Sequence, residues 1–301
     1  MNHTTTIKTD AEIFEYKHPV TGLRNKVNSF YFTSSDLNAL SHTTVYLKSS
    51  LFILVLSGNG QLLVNYKEYN LEKDSILLLS FGHFFMFSQV SDDFRCKCLY
   101  ISMEFIDEMY STEMLYKRIK YGVRMHSMPV LALGIENARL LYKRMKFVDE
   151  MMEDVGHHYY KEMILNSLLI FFLDLSNIIA KEESIAGRSN LSRDELIIQS
   201  FIELLVDHYK TEHHVDFYAN QLHITPHYLT LVVKRLTGQT VADFIVQMLY
   251  SEARLLLQQP KLSVQQISDL LNFSDQSAFG KFFKRKSGLS PKEFRKTATI
   301  F

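Results

Sequence analysis

Short apolar runs broken by polar turns dominate the first third of the chain. Residues 51–56 are continuously apolar and end at Ser57-Gly58-Asn59-Gly60, after which residues 61–66 form a second extended run. Two β-prone stretches around a Gly-containing tetrapeptide predict a hairpin. Further strands are expected at residues 75–80, 84–88 and 96–103, with Glu72-Lys73-Asp74, Phe81-Gly82-His83 and Ser91-Asp92-Asp93 between them. Many short strands with polar turns predict an antiparallel sandwich or barrel.

From about Phe105 the period changes. Ala138, Leu141, Met145, Val148, Met152, Val155 and Tyr159 recur alternately at three and four residues, with Arg139, Lys143, Arg144, Lys146, Asp149 and Glu150 on the other faces. This is the seam of an amphipathic helix, which packs either on its own barrel or on a second subunit. Leu141, Met145, Val148 and Met152 are the candidate dimer contacts. Residues 164–180 are the most hydrophobic span, interrupted by Asn166, Ser167, Asp174, Ser176 and Asn177. They read as a core or interface helix rather than a membrane span. Residues 181–190 are charged, small and turn-forming, the composition of a linker, and everything beyond reads as helix.

The last ninety or so residues contain an internal repeat. Val215, Tyr218, Ala219 and Leu222 correspond to Val264, Ile267, Ser268 and Leu271, each 49 positions on. After a slip of one residue, Leu229, Val233, Gly238 and Phe244 correspond to Phe279, Phe283, Gly288 and Phe294, and Lys234-Arg235 to Lys284-Arg285. Each copy reads as helix, tight turn, helix. In the first, the turn His223-Ile224 is followed by Thr225, a helix cap, and Pro226, suited to the first helical position. In the second, Asn272-Phe273 precedes Ser274 and Asp275, either of which can cap. Asn272 stands where the backbone must turn left-handed, which Asn tolerates well. Ala219 and Ser268 are small where the paired helices approach closely. This is the grammar of a helix-turn-helix, whose second helix enters the DNA major groove. On the first such helix Leu229, Val233 and Leu236 form the inner stripe, and His227, Thr230, Leu231 and Lys234 point outward. On the second, Phe279, Phe282 and Phe283 lie inside, and Gln276, Ser277, Gly280, Lys281 and Lys284 face out. Gln276 suits an adenine edge and Lys281 the acceptors of guanine. Gly280 in mid-helix costs about 1 kcal/mol against Ala, so close approach to a phosphate or base is a reasonable motive.

The run from Ser263 to Arg295, closing on Gly288-x-Ser-Pro-x-x-Phe-Arg, resembles the signature of the AraC/XylS family of bacterial transcription regulators. The resemblance covers about residues 196–296. It implies two helix-turn-helix units joined by a long helix at residues 241–258, both reading successive major-groove faces. The family's base-reading positions fall on His227, Thr230 and Leu231 and on Gln276, Ser277 and Lys281; Gly280 joins them by its place on the outer face. Lys234, Arg235, Lys284, Arg285 and Lys286 are the candidate phosphate contacts. The chain departs from the family at Leu249, where an Arg is usual, at Asn272, where Gly is usual, and at Leu231, where a polar or basic reader often sits. The second unit is therefore expected to carry a large share of specificity. The amino-terminal strands and helices look like the cupin-type barrel and helical dimerisation region of many members. The expected fold is α+β: a cupin-like antiparallel barrel at about residues 25–105, helices at 106–180, a linker at 181–192 and an all-α DNA-binding domain at 193–301. The implied partners are double-stranded promoter DNA, a second copy of the chain, RNA polymerase for an activator and a small-molecule effector. Tyr46, Tyr66, His83 and Tyr100 are the candidate pocket residues.

Charge sharpens this reading. The 301 residues hold 33 Lys+Arg and 33 Asp+Glu, and zero net charge argues at first against nucleic acid. Residues 191–301, however, carry 13 Lys+Arg against 11 Asp+Glu, and seven of those cations stand between Lys281 and Lys296 with only Glu293 opposing them. Phosphate attraction depends on charge within a Debye length of about 8–10 Å, so the local excess decides. An aromatic content of 13% excludes a disordered chain. Cys96 and Cys98 share one strand face and read as reduced, buried thiols, which also speaks against a repair protein with a nucleophilic cysteine fused to this domain. His42 and His83 are isolated, and the pairs His157-His158 and His213-His214 diverge on a helix as solvated surface, so neither a metal nor another cofactor is expected. The alternative class, a cupin-fold enzyme with a DNA-binding tail, finds no metal triad, G-x-S-x-G or phosphate-cradling loop. The polar, Thr-rich start lacks the apolar stretch of a signal peptide, and a cytoplasmic protein without membrane contact is expected.

Overall fold

The computed structural model describes residues 6–9, 22–40, 43–80, 82–105, 128–186 and 193–298, which divide at Asn190/Leu191 into two bodies. His42 lies outside the described residues, as do positions 106–127 of the expected helical segment and 187–192 of the linker.

In the amino-terminal body the strands are β1 (Thr6–Thr9), β2 (Val27–Thr33), β3 (Thr43–Tyr46), β4 (Ser49–Ser57), β5 (Asn59–Val64), β6 (Lys67–Glu72), β7 (Ser75–Leu79), β8 (Phe84–Val90), β9 (Arg95–Ser102) and β10 (Val130–Ala132). They form two five-stranded sheets, β1-β3-β8-β5-β6 and β10-β7-β4-β9-β2. All pairs are antiparallel except β1 with β3, so the polar, Thr-rich start contributes a parallel edge strand that its composition did not suggest. The expected barrel is realised as two facing sheets. Phe30, Phe32, Leu51, Ile53, Leu77 and Leu79 from one pack against Val45, Leu62, Val64, Leu71, Phe85 and Phe87 from the other. Side chains alternate along a strand, so β4 also presents Phe52 and Leu54 to the opposite face, where both are buried. That double burial is why residues 51–56 are apolar without a break.

The expected hairpin between β4 and β5 does not form. β4 pairs with β7 and β9, whereas β5 pairs with β6 and β8 in the other sheet. The chain changes sheets at Gly58, whose φ is +73° and whose added Cβ would stand 2.7 Å from Phe94 Cα. The hairpin lies one turn later. Val64 and Lys67 pair across Asn65 and Tyr66, with φ of 49° and 66°, the two-residue turn with both centres left-handed.

Among the described residues this body also holds the long helices α2 (Gly134–Glu153) and α3 (Tyr160–Ala186) and the short α1 (Ser34–Ala39). Leu141, Met145 and Val148 are fully buried and Met152 is 4% exposed, because α2 packs on α3 and on the sheet containing β2 and β7. These four positions are therefore consumed within the chain and are not the expected dimer contacts, whereas Val155 and Tyr159, at the end of the same seam, are exposed. Phe52 sets its ring 5.3 Å from Phe171 and 5.5 Å from Phe172. By length and composition Tyr160–Glu182 is apolar enough to cross a bilayer. Its stripe of Ile164, Leu168, Phe171 and Leu175 is buried in the body instead. The helix runs on to Ala186, through the first half of the expected linker.

Under α2 lies a buried cation. Lys97 is 1% exposed and donates to Asp149 Oδ2 at 2.7 Å, with its ammonium 4.3 Å from the Tyr31 ring centre. Tyr31 shares a 3.0 Å hydrogen bond with Tyr142, and burial, then that bond, push its pKa up to about 12. Cys96 and Cys98, on the other face of the same strand, are buried thiols with their sulfurs 4.0 Å apart.

The carboxy-terminal body is helical: α4 (Arg193–His208), α5 (Val215–Gln221), α6 (Pro226–Thr237), α7 (Val241–Leu257), α8 (Val264–Leu270), α9 (Gln276–Ser287) and α10 (Pro291–Ala298). Its core joins Phe201, Tyr218, Leu229, Val233 and Met248 around the first helix pair, and Ile267, Phe279 and Phe283 around the second. Leu249, at the position where Arg was usual, is 3% exposed and packs in this core.

Candidate nucleic-acid interface

Local chemistry sets the two helix-turn-helix units. Thr225 accepts from the Tyr228 N–H at 3.2 Å with Pro226 next in line, which starts α6. Asp275, not Ser274, caps α9, accepting from the Ala278 N–H at 2.8 Å. That bond, first among its causes, holds the Asp275 carboxyl below its usual range, and Lys281 adds to the effect. The turns before these helices contain left-handed residues, Asn272 at φ 53° as expected and His223 at 55°. His223 is the repeat partner of Asn272, so the register could have revealed it. Both recognition helices end on a left-handed glycine, Gly238 and Gly288.

The closing signature is a second set of caps. The Ser290 N–H donates to Glu293 Oε2 at 2.7 Å and the Glu293 N–H donates to Ser290 Oγ at 3.3 Å; the Ser290 side chain, then its backbone N–H, lower the Glu293 pKa. Phe294 packs 5.2 Å from Phe283, and Arg295 Nε donates to the Leu257 carbonyl. Thr240 and Asp243 repeat the capping box at the start of α7. These residues build the scaffold; the readers stand on it.

On α6 the inner face is Leu229, Val232 and Val233, with Leu236 only half buried. Val232 replaces Leu236 in the expected stripe and matches Phe282 in the second copy. Opposite the core, His227, Leu231, Lys234 and Arg235 are exposed and Thr230 is half exposed. On α9, Gln276, Ser277, Lys281, Lys284, Arg285 and Lys286 are exposed and Gly280 is half exposed. Every expected reader therefore lies outward on its recognition helix. A Cβ added at Gly280 would meet nothing within 4 Å, so the protein's own packing does not require glycine there.

Five contacts have no signal in the amino-acid pattern. Arg235 is ion-paired with Asp194, which also accepts from the Tyr228 hydroxyl at 3.3 Å. The guanidinium expected on phosphate is thus engaged by α4. Asn272 Nδ2 donates to the Thr211 carbonyl at 2.7 Å, and His213 stacks 5.1 Å from Phe273, tying the second turn to the segment before α5. His213 is accordingly not the solvated surface residue expected. Lys210 pairs with Glu252 at 2.7 Å, bracing that segment on α7.

The expected effector residues do not converge. Tyr66 is 91% exposed at a hairpin tip, because the left-handed turn points its side chain away from both sheets. His83 is buried, and its Nδ1 accepts from the Ser80 N–H at 2.9 Å, shaping the turn before β8. Tyr46 stacks on Phe84, and Tyr100 packs against the edge of the core. The cavity between the sheets, about 20 Å³, is lined by Phe32, Leu37, Val45, Ile53, Phe85 and Phe87 among others, and by none of those four. Among the described residues no three His, Cys, Asp or Glu side chains stand together as a metal cluster.

Two copies of one helix-turn-helix in register, each with a polar and cationic outer face, define a tandem helix-turn-helix protein. Residues 218–297 match the family described as a helix-turn-helix domain, and residues 50–153 the one described as the ExsA N-terminal regulatory domain. Together the two matches support the resemblance to the AraC family of regulators. It is 33% identical over 94 residues to the Msm operon regulatory protein of Streptococcus mutans, covering 31% of this chain and 34% of that one. To the HTH-type transcriptional activator RhaS of Escherichia coli it is 29% identical over 132 residues, 44% of each chain. The matches therefore span less than half the length of these curated relatives. ToxT from Vibrio cholerae O395 aligns over 91% of this chain and 98% of its own, at 15% identity and a TM-score of 0.32.

Proposed function

We propose that the protein is a sequence-specific DNA-binding transcription regulator that activates its promoters. The observation that carries this reading is the pair of outward recognition faces, His227 to Arg235 and Gln276 to Lys286, on helices whose caps and cores repeat residue for residue. RhaS, named a transcriptional activator, supports the direction of control. The amino-terminal body, matched by a family of regulatory domains, is the part that receives the signal or joins two copies. A homodimer on promoter DNA in contact with RNA polymerase, in the cytoplasm, is the working state of this reading. An effector acts on such a protein only as far as it binds the active arrangement better.

Mapping bound sites across the genome, with transcript changes on deletion, tests the reading directly. Discrete promoter sites whose genes lose expression are expected; the absence of discrete sites under every condition overturns it. Within the domain, Gln276→Ala and Lys281→Ala are expected to weaken specific binding more than Thr230→Ala. A dominant loss from Thr230→Ala refutes the larger share given to the second unit.

A further inference from the structure

The two recognition helices are superimposable by register, 50 positions apart, and their cores agree: Leu229, Val232 and Val233 against Phe279, Phe282 and Phe283. Their outer faces agree at Lys234/Lys284 and Arg235/Arg285 and differ at His227/Ser277, Thr230/Gly280 and, in the middle of the face, Leu231/Lys281. Leu231 stands where the second unit has Lys281. At about 100° per residue, His227, Leu231 and Lys234 fall within roughly 60° of one another, directly opposite the core. Leu231 is 51% exposed there. A lone exposed leucine carries no message by itself; its position does. The neighbouring outer positions of α6 hold His227, Thr230, Lys234 and Arg235, so this helix offers a protein partner no apolar patch of its own, and neither the helix nor its core needs a branched aliphatic side chain at this point.

We propose that Leu231 is a specificity-determining residue that reads the 5-methyl group of a thymine in the major groove. This rests on the DNA-binding reading above. Thymine is the base pair's one apolar landmark in that groove, and a small aliphatic side chain selects it by contact with the methyl. The equivalent Lys281 presents an ammonium to guanine O6 and N7 instead. The two units therefore read different bases at equivalent steps, and the DNA site is a tandem of unlike half-sites: thymine under Leu231 and guanine under Lys281.

Uracil differs from thymine only by that methyl, which makes it the probe. The full chain is first used to select its site from random duplexes. Each thymine of the selected site is then replaced singly by uracil, and affinities are measured by fluorescence anisotropy. One substitution, in the half-site opposite α6, is expected to weaken binding about fourfold, the transfer value of one methyl group. Leu231→Ala is expected to bind the thymine and uracil duplexes equally. Leu231→Lys is expected to shift selection at that step from thymine towards guanine. Leu231 is outside the core, so thermal melting should show all variants folded. The proposal is overturned if no single uracil affects the parent, or if Leu231→Ala keeps the parent's sensitivity. Failure to select any sequence overturns the DNA-binding reading itself, and the two failures are thereby told apart.

Discussion

Gly280 gives the domain its most discriminating test, because one methyl group should move stability and binding in opposite directions. The residue lies in the interior of α9 with helical backbone and no positive φ, and its missing Cβ would meet nothing within 4 Å. Glycine in a helix interior costs about 1 kcal/mol against alanine. Gly280→Ala is therefore expected to stabilise the free carboxy-terminal body by about that amount. For a domain of this size it corresponds to about 4–8 °C in Tm. On DNA the balance reverses. Position 280 opens onto the outward face shared by Gln276, Ser277, Lys281 and Lys284, and a base or phosphate closing on bare backbone leaves no room for a methyl. Overpacking of that kind costs about 1–3 kcal/mol, or roughly five- to hundredfold in affinity.

The assay is a pair of measurements on the same variant: thermal unfolding without DNA, and anisotropy titration with the selected duplex. Higher Tm with weaker binding is the expected outcome. Unchanged affinity would refute the close approach, leaving Gly280 a helix defect without a role in recognition. A lower Tm would refute the stability accounting, since it would mean that the methyl meets something the open face does not show. Thr230, the equivalent residue in the first unit, already carries a Cβ. The first recognition helix is thus expected to stand further from the DNA than the second at this step.

The remaining predictions concern the scaffold. Thr240→Ala removes the hydroxyl half of a capping box, in which Oγ1 accepts from the Asp243 N–H, and should lower stability by about 1 kcal/mol in denaturant unfolding, with no change in m. Asp194→Asn should release Arg235 to phosphate, raising DNA affinity at low salt and steepening the log K against log salt slope by about one; an unchanged slope would mean that Arg235 stays off the backbone. Asp149→Ala strands the buried Lys97 ammonium and should cost the amino-terminal body about 3–5 kcal/mol, whereas Lys97→Met with Asp149→Leu should recover most of it. Burial, reinforced by His214 and opposed by the Lys210 carbonyl and Glu212, lowers the His213 pKa from its ordinary 6.5. The neutral ring is then the folded form, so its contribution is complete above about pH 6.5 and is lost as pH falls through the lower folded value. Tm should drop more steeply below pH 6.5 in the parent than in His213→Gln, and parallel profiles would remove His213 from the account.

Most of what the amino-acid pattern made legible is local or repeated. Thr225 before Pro226, Asp275 before α9, and Asn272 in a left-handed turn each act within four residues of themselves, and the repeat tests every reading twice. The misreadings share the opposite property. Ser57-Gly58-Asn59-Gly60 carries the same local signal whether the chain doubles back or crosses between sheets. Contact of Gly58 with Phe94, 36 positions away, decides the matter. The seam of α2 announces that a stripe is buried, and only the presence of α3 and the β2–β7 sheet says against what. Tyr66 reads as a pocket aromatic until its φ of 66° puts it at a hairpin tip.

Charge follows the same division, with a functional consequence. Counted by sequence, Lys234-Arg235 and Lys284-Arg285 are equal pairs. In three dimensions Asp194 takes Arg235, and the nearby Lys210 is held by Glu252, so the first unit's outward charge reduces largely to Lys234. The second unit presents Lys281, Lys284, Arg285 and Lys286 from one exposed helix. On the proposed reading, grip on phosphate concentrates in α9, where the backbone is open to approach at Gly280. The first unit, with less charge to hold the DNA, must earn its selectivity by fit at the base edges. An apolar side chain at Leu231 suits that division better than a second cation would, since a lysine there would strengthen binding to every sequence along with the right one.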